Sequence, residues 1–384
     1  MAVRVLSHKF CSDANYHSSK ISEEIEHQES PSRLKAILGA LQASYGDKLV
    51  EYTNFDNEED EAARLLRVCE KTVSLVHSSE YLEKLKLICD GLEEFSSEPL
   101  SPRLIHDLNR TGGATIASKR SYVTALAAVD TCVRAVDICS EATTPIRVLC
   151  LVRPPGHHAG PSFPDKRVGG CGFCLLNSAA IAAAVGRQTF ERIAIVDLDV
   201  HHGNGTEACV RSLKKGVFYG SIHLCEVFED NPDADFFPGT GLKSENQDDG
   251  TTIVNCPLTP LWVAGYRKKR AKQVKGRKAF FDALETVMVP ALRRFDPQLL
   301  IISSGFDGAK GDEGNLSEDG LVSGLDLTPN DFRKVTSILS SLCPRVISIL
   351  EGGYGCFQQD TGRFDRTLLV NCCLEHIKGL QESK

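Results

Sequence analysis

The sequence predicts an α/β fold: a single domain with a central, mostly parallel sheet flanked by helices and a ligand site at the carboxyl ends of the strands. Three observations predict it. Short, nearly continuous apolar runs recur at strand length, helix-compatible stretches alternate with them, and polar clusters follow the runs. Runs rich in Val, Ile and Leu without polar alternation suit parallel strands covered on both faces. The helices between them supply the crossovers that parallel pairing requires.

Along the chain, a helix-compatible stretch at 121–140 precedes the first run, 146–152, which leads into Arg153-Pro154-Pro155-Gly156-His157-His158. A second helix at 177–186 precedes the run 192–200, which closes on Asp197 to His202. The third run is 217–224, and the polar stretch 244–250 after it reads as an exposed loop. A helix at 277–294 precedes the run 298–303, followed by Gly305-Phe306-Asp307. The helix at 328–342 opens with Thr328-Pro329-Asn330-Asp331, a hydroxyl cap with Pro at the first helical position. It leads to the run 346–350 and then Glu351-Gly352-Gly353-Tyr354-Gly355. No repeat, low-complexity tract or linker divides the sequence, so residues 1–384 are read as one domain. In open parallel sheets ligands gather beyond the carboxyl ends of the strands, which is where these clusters fall.

Composition excludes several classes. At 42% hydrophobic and 25% charged residues the chain is ordinary globular material, neither disordered nor membrane-spanning. A formal net charge of -7 argues against a nucleic-acid partner held by counterion release. The basic run Arg267-Lys268-Lys269-Arg270 reads as a solvated helix face. The first residues lack the apolar core of a secretory signal, and fifteen scattered Cys suit reduced thiols; the expectation is a protein of the cytoplasm and/or nucleus.

The most informative segment is Asp197-Leu198-Asp199-Val200-His201-His202-Gly203-Asn204. Alternate residues of a strand share a face, so Asp197, Asp199 and His201 are expected to project together. Two carboxylates and an imidazole are costly to bury unless a cation sits among them, and a divalent metal is the simplest answer. A catalytic zinc takes three protein ligands and leaves a position for water. Asp307, shortly after another strand and a Gly, is the candidate for the third. The set of two carboxylates and one imidazole leaves iron(II) as an alternative to zinc.

His157 and His158 form an adjacent pair in which one ring can act as general base and the other supply charge; two histidines hydrogen-bonded in a loop are the structural alternative. The glycines around Tyr354 serve a tight turn, or let backbone approach a ligand while the hydroxyl points at a developing oxyanion.

These clusters, in this order, resemble the zinc-dependent histone deacetylase superfamily, of arginase/deacetylase fold. The Arg-Pro-Pro-Gly-His-His and Asp-Val-His-His-Gly-Asn-Gly-Thr forms resemble its class II branch, from about His27 to about Tyr354. The resemblance implies an amidohydrolase that removes acetyl or related acyl groups from lysine side chains of histones or other proteins, hence a chromatin regulator. It makes Asp199, His201 and Asp307 the zinc ligands, His158 the general base and acid, His157 its electrostatic partner and Tyr354 the hydroxyl that polarises the carbonyl. It places Asp197 beside His157 and Asn204 beside His158. Asp197, with Asp199, His201, Ser221 and Ile222, matches a structural potassium site. Gly172, Phe173 and Phe237 match the tunnel for the lysine stem. Arg33 resembles an internal arginine serving product exit, with a surface or capping role as the alternative.

Tyr354 is the competent form of a position where some class II members carry His, which disfavours an inactive acyl-lysine reader or scaffold. Three departures stand out: a long, glycine-rich 160–172, an acid-rich 311–320 without the usual Pro, and no acidic residue around 111–122, where Ala114 and Thr115 stand. Glu313 resembles the gatekeeper of the polyamine deacetylase branch, so acetylpolyamine is the alternative substrate; a solvated loop carboxylate is the plainer reading. Cys171 and Cys174 allow a redox pair, the reading of a thiol oxidoreductase. The oligomeric state is not legible.

Overall fold

The computed structural model describes residues 3–13, 25–46, 49–54, 57–93, 97–99, 115–162, 171–213, 216–226, 236–246, 250–263 and 274–382. Its strands are β1 (Val3–Ser7), β2 (Val50–Tyr52), β3 (Ser97–Pro99), β4 (Ile116–Ser118), β5 (Ile146–Leu151), β6 (Ile193–Asp197), β7 (Val217–Leu224), β8 (Glu245–Asn246), β9 (Thr252–Leu258), β10 (Leu299–Ser304), β11 (Arg345–Leu350), β12 (Cys356–Gln358) and β13 (Arg363–Asp365). Nine form one sheet in the order β2-β1-β5-β11-β10-β6-β7-β9-β8. Every pairing in it is parallel except that of β8, which runs antiparallel to β9 at the edge.

The five apolar runs are β5, β6, β7, β10 and β11, and they lie side by side at the centre of the sheet. β7 and β10 are buried at every residue, so both of their faces are covered; the polar residues among them, Ser221, His223, Ser303 and Ser304, fall in their carboxyl-terminal halves. Full burial of one Leu, Ile or Val side chain contributes about 1.5–3 kcal/mol. Two expectations need correction. The stretch 244–250 is not all loop, because Glu245 and Asn246 pair with Ile253 and Thr252; residues 247–249 lie outside the described set. β6 stops at Asp197 instead of running to 200, because the Asp197 carboxylate turns forward to accept the Asp199 N–H at 3.1 Å.

The helices are α1 (Lys9–Ser12), α2 (Ser32–Tyr45), α3 (Glu58–Val73), α4 (Ser79–Asp90), α5 (Ser121–Glu141), α6 (Ser178–Gly186), α7 (Asn204–Leu213), α8 (Gly276–Ala283), α9 (Val289–Phe295), α10 (Pro329–Ser340) and α11 (Thr367–Glu382). Among the described residues no helix is long and apolar enough to cross a membrane. α10 starts at the signal read from the sequence: the Thr328 N–H and hydroxyl both donate to the Asp331 carboxylate, at 2.9 and 2.7 Å. Between α8 and α9 the turn Leu284–Met288 is π-helical, the Val289 N–H reaching back to the Leu284 carbonyl. Pro290, which has no N–H to continue an α ladder, follows at once. Parallel pairing opens β5, β6, β10 and β11 on one rim, and their loops deliver His157, Asp199, Asp307 and Tyr354 to the same place.

Candidate active site

Asp199, His201 and Asp307 converge: one ligand atom from each lies within 4.8 Å of the others. His201 Nδ1 is 3.0 Å from Asp199 Oδ1 and 3.1 Å from Asp307 Oδ2. Backbone aims the carboxylates. The Val200 N–H donates to Asp307 Oδ1 at 3.0 Å, and the Gly352 N–H to Asp199 Oδ2 at 2.9 Å. Glycine is required around them, since a Cβ at Gly305 would collide with Asp199 and one at Gly352 with both Asp199 and Asp307.

This donor set fits a divalent cation. Asp199 and Asp307 are buried, and burial together with Asp199 pushes Asp307 up to about 6. Burial opposes a charge on His201, but Asp199 and Asp307 outweigh it and raise the ring to about 9. Two acids that repel each other around one imidazole form an arrangement that a cation relieves. Two oxygens and one nitrogen match a three-ligand catalytic zinc and do not set zinc apart from iron(II). Asp197, expected on the same face, is not in this cluster. Its Oδ2 instead lies 3.0 Å from His157 Nδ1, and its backbone pairs with Ser221 of β7, next to Ile222.

The two histidines stand beside the cluster with ring centres 3.9 Å apart. His158 Nδ1 lies 2.7 Å from Asn204 Oδ1 at the start of α7. An amide oxygen there requires the proton on Nδ1 and leaves the Nε2 lone pair free. His157 is held charged: burial opposes this, yet Asp199 and Asp197 raise its pKa well above the ordinary value. His158 goes the other way, because burial and the His157 and His201 rings push it well below. Two neighbouring imidazoles driven apart in this manner can divide acid and base roles between them.

His158, His201 and Tyr354 belong to one cavity of about 260 Å³, which Gly172, Phe173 and Phe237 line as expected, with His157 behind His158. Phe173 lies edge-on to Tyr354 at 5.7 Å and Phe237 edge-on to His158 at 4.8 Å. Gly172, at φ 49°, passes so close to the His158 ring that a side chain would collide with it. Glu313 is on the cavity wall, not in a solvated loop, and burial raises its pKa.

Arg33 is neither on the surface nor a cap. It is buried behind Tyr354, its Nε and terminal nitrogen donating to the Gly353 and Glu351 carbonyls at 2.7 and 2.5 Å, its guanidinium 4.9 Å from the Tyr354 ring centre.

Several site residues escaped the sequence reading. Glu351 accepts the Gly156 and His157 N–H groups at 2.7 and 3.1 Å and so shapes the histidine turn. Its place directly after an apolar run was the available signal. Gln28, Glu226, Trp262, Leu316 and Glu318 also line the cavity, and no local pattern marks them; Phe236, next to the expected Phe237, lines it too. Phe236 stacks on His201, centroids 5.0 Å apart at 5°. Asp312, read as a surplus acid, is buried, and burial with Asp307 pushes it up to about 7.

Cys171 and Cys174 are buried thiols; burial pushes Cys171 up to about 12 and Cys174 well above its ordinary value, which opposes thiolate redox chemistry. Residues 163–170, Ala114 and the basic run 267–270 lie outside the described set, whereas Thr115 accepts the Phe173 N–H at 3.0 Å.

Comparison with known proteins follows the same lines. The histone deacetylase domain matches residues 27–363. The Type-2 histone deacetylase 2 of Dictyostelium discoideum is 30% identical over 98% of this chain, which spans only 21% of that protein's length. The histone deacetylase-like amidohydrolase of Pseudomonas aeruginosa is 29% identical over 85% of this chain and 72% of its own. Among solved structures, the crystal structure of the HDA15 HD domain superposes with a TM-score of 0.71 at 26% identity, covering 99% of this chain and 89% of that one.

Proposed function

Because this chain belongs to the histone deacetylase family, in its class II-like branch, we propose that it is a metal-dependent amidohydrolase that removes acetyl or related acyl groups from lysine side chains of histones or other proteins. The observation that carries this reading is the meeting, on one aromatic-lined cavity, of His158, Tyr354 and His201, the last of these joined to Asp199 and Asp307 in a three-residue cation cluster.

Asp199, His201 and Asp307 would hold the cation, zinc in this reading with iron(II) as the alternative. When bound, such an ion polarises the amide carbonyl and acidifies a water. His158 takes the proton of the attacking water at Nε2, its Nδ1 proton anchored on Asn204, and returns it to the departing amine. Charged His157, paired with Asp197, supplies positive potential beside the developing oxyanion. The Tyr354 hydroxyl donates a hydrogen bond to that oxygen, while Phe173 and Phe237 exclude water from the lysine stem. A structural potassium ion at Asp197 with Asp199, His201, Ser221 and Ile222 is part of the proposal.

A second reading has its own observation. Glu226, Glu313 and Glu318 all line the cavity, so a substrate with a second cation, an acetylpolyamine, is also served. One experiment tests both: purified protein assayed on acetyl-lysine peptides, longer acyl-lysines and acetylspermidine, before and after chelation and after return of zinc or iron(II). Hydrolysis that is lost on chelation and restored by metal is expected. No hydrolysis of any substrate with either metal would leave an acyl-lysine reader as the reading.

A further inference from the structure

We propose that Asp312 is the positioning residue for Tyr354, fixing the backbone that carries the hydroxyl and acting on turnover through that hydroxyl. The proposal rests on the reading of Tyr354 as the oxyanion donor.

Tyr354 sits in Gly352-Gly353-Tyr354-Gly355, with φ at 103° in Gly353 and 82° in Gly355. Glycines on both sides give this segment more backbone freedom than any other residue would, so its conformation must be imposed from outside. The buried Asp312 carboxylate imposes it. Its Oδ2 accepts the N–H groups of Tyr354 and Gly355 at 2.9 and 2.7 Å, and its Oδ1 accepts the Gly314 N–H at 3.0 Å. The third bond matters as much as the first two. Gly314 packs tightly between the tyrosine ring and Asp307, where a Cβ would stand 2.9 Å from both Tyr354 Cε2 and Asp307 Cβ, so one carboxylate places both the backbone and a neighbour of the ring.

Other groups grip the same segment from its carbonyl side. Arg33 takes the Gly353 and Glu351 oxygens, and Arg366 takes the Tyr354 oxygen. The Glu313 N–H adds a strap to the Gly355 carbonyl at 2.9 Å. The N–H side of Tyr354 and Gly355 ends on Asp312. Asp312 also lies on the loop that begins with Asp307, so it couples the hydroxyl to the strand end that carries a cation ligand. A hydrogen bond to an oxyanion tolerates little displacement, and an error of about 1 Å in such a group costs roughly 10²-fold in rate.

The test is a double-mutant cycle of Asp312→Asn and Tyr354→Phe, with kcat, KM and bound metal measured at pH 8. Asparagine keeps the shape but turns an NH₂ toward N–H groups, so at least one bond is lost. Tyr354→Phe should lower kcat about 10²- to 10³-fold. Asp312→Asn should lower kcat by roughly tenfold or more, with KM and metal content unchanged, and should lower it less than about twofold further in the Tyr354→Phe background. A multiplicative loss in the double variant, a shift confined to KM, or wild-type turnover in Asp312→Asn overturns the proposal. Unchanged turnover in Tyr354→Phe alone overturns the oxyanion reading itself, and is recognised without reference to Asp312. Should Asp312→Asn fail to melt cooperatively, Asp312→Ser takes its place in the cycle under the same criteria.

Discussion

Gly352→Ala isolates how tightly the cation cluster is built. The added Cβ would stand 2.5 Å from Asp199 Oδ2 and closer still to Asp307 Oδ2, whereas ordinary contact begins at 3.4 Å. The two oxygens cannot swing away freely, because Asp307 Oδ1 is tied to the Val200 N–H and Asp199 Oδ1 to the His201 N–H at 2.9 Å. Relief therefore means moving both ligand atoms by about 1 Å, a displacement that costs a positioned group roughly 10²-fold in rate. Disturbing the setting of metal ligands lowers metal affinity by about 10- to 100-fold.

The assay is a competition titration of zinc against a chromophoric chelator, with turnover measured at saturating metal. Gly39→Ala is the control. It lies in α2 with nothing within 4 Å of its Cβ position, so there the same substitution should stabilise by about 0.5–1 kcal/mol and leave affinity alone. Zinc affinity within twofold of the parent in Gly352→Ala would refute the argument that these carboxylates are sterically locked.

Three further outcomes are expected. His158→Ala should lose about 10²- to 10⁴-fold in kcat with metal retained, and a variant that still turns over well moves the base elsewhere. Asn204→Asp places an anion on His158 Nδ1, whose pKa burial, His157 and His201 now hold low, so the acidic limb of the kcat/KM profile should move up by about 1 unit or more; an unmoved limb refutes the pairing. Burial pulls His77 down to about 4 and His376 to about 3 from 6.5, so between those values the unfolded chain binds more protons than the folded one. The contribution of each histidine is then complete above the ordinary histidine range and falls as pH drops toward about 4, by roughly 3 kcal/mol per group, while Asp307 and Asp312, raised by burial, work in the opposite sense. The check is therefore a difference, in which His376→Gln should gain stability relative to the parent from pH 8 to pH 5, and a pH-independent difference contradicts it.

The centre of the fold was legible because burial on both faces leaves a strand no choice of composition. β5, β6, β7, β10 and β11 all show it. β9, with Asn255 and Pro257 in its span, lies toward the sheet edge and lost that signature. The same holds for the site. Asp199 and His201 are two residues apart, and local spacing brings them together whether or not the strand persists to 200. Glu29, and the partners of Arg33, were opaque for the opposite reason. Arg33 reaches Gly353 across 320 residues, and Glu29 meets Arg153 across 124, at 2.7 Å. No window of sequence contains such a pair. Asp312 failed differently: an acid in an acid-rich loop looks solvated, and only the glycine backbone folded over it shows that it is not.

The buried acids around the cavity share one means of compensation, which explains why the site sits where it does. Asp197 takes the Asp199 N–H, Asp199 those of His201 and Gly352, Asp307 that of Val200, Glu351 those of Gly156 and His157, and Asp312 those of Gly314, Tyr354 and Gly355. Only where strands end do N–H groups come free of the ladder in such numbers, since within the sheet each is already spent on a neighbouring strand. The carboxyl rim thus solvates anions with fixed dipoles that need not reorganise during reaction, and it does so only where backbone can approach a carboxylate closely. Glycine at 305 and 352 is what permits that approach. The glycines, the surplus of acids and the placement beyond the strands are therefore one physical requirement: a concentrated cluster of carboxylates, held rigid by main chain, suited to positive charge.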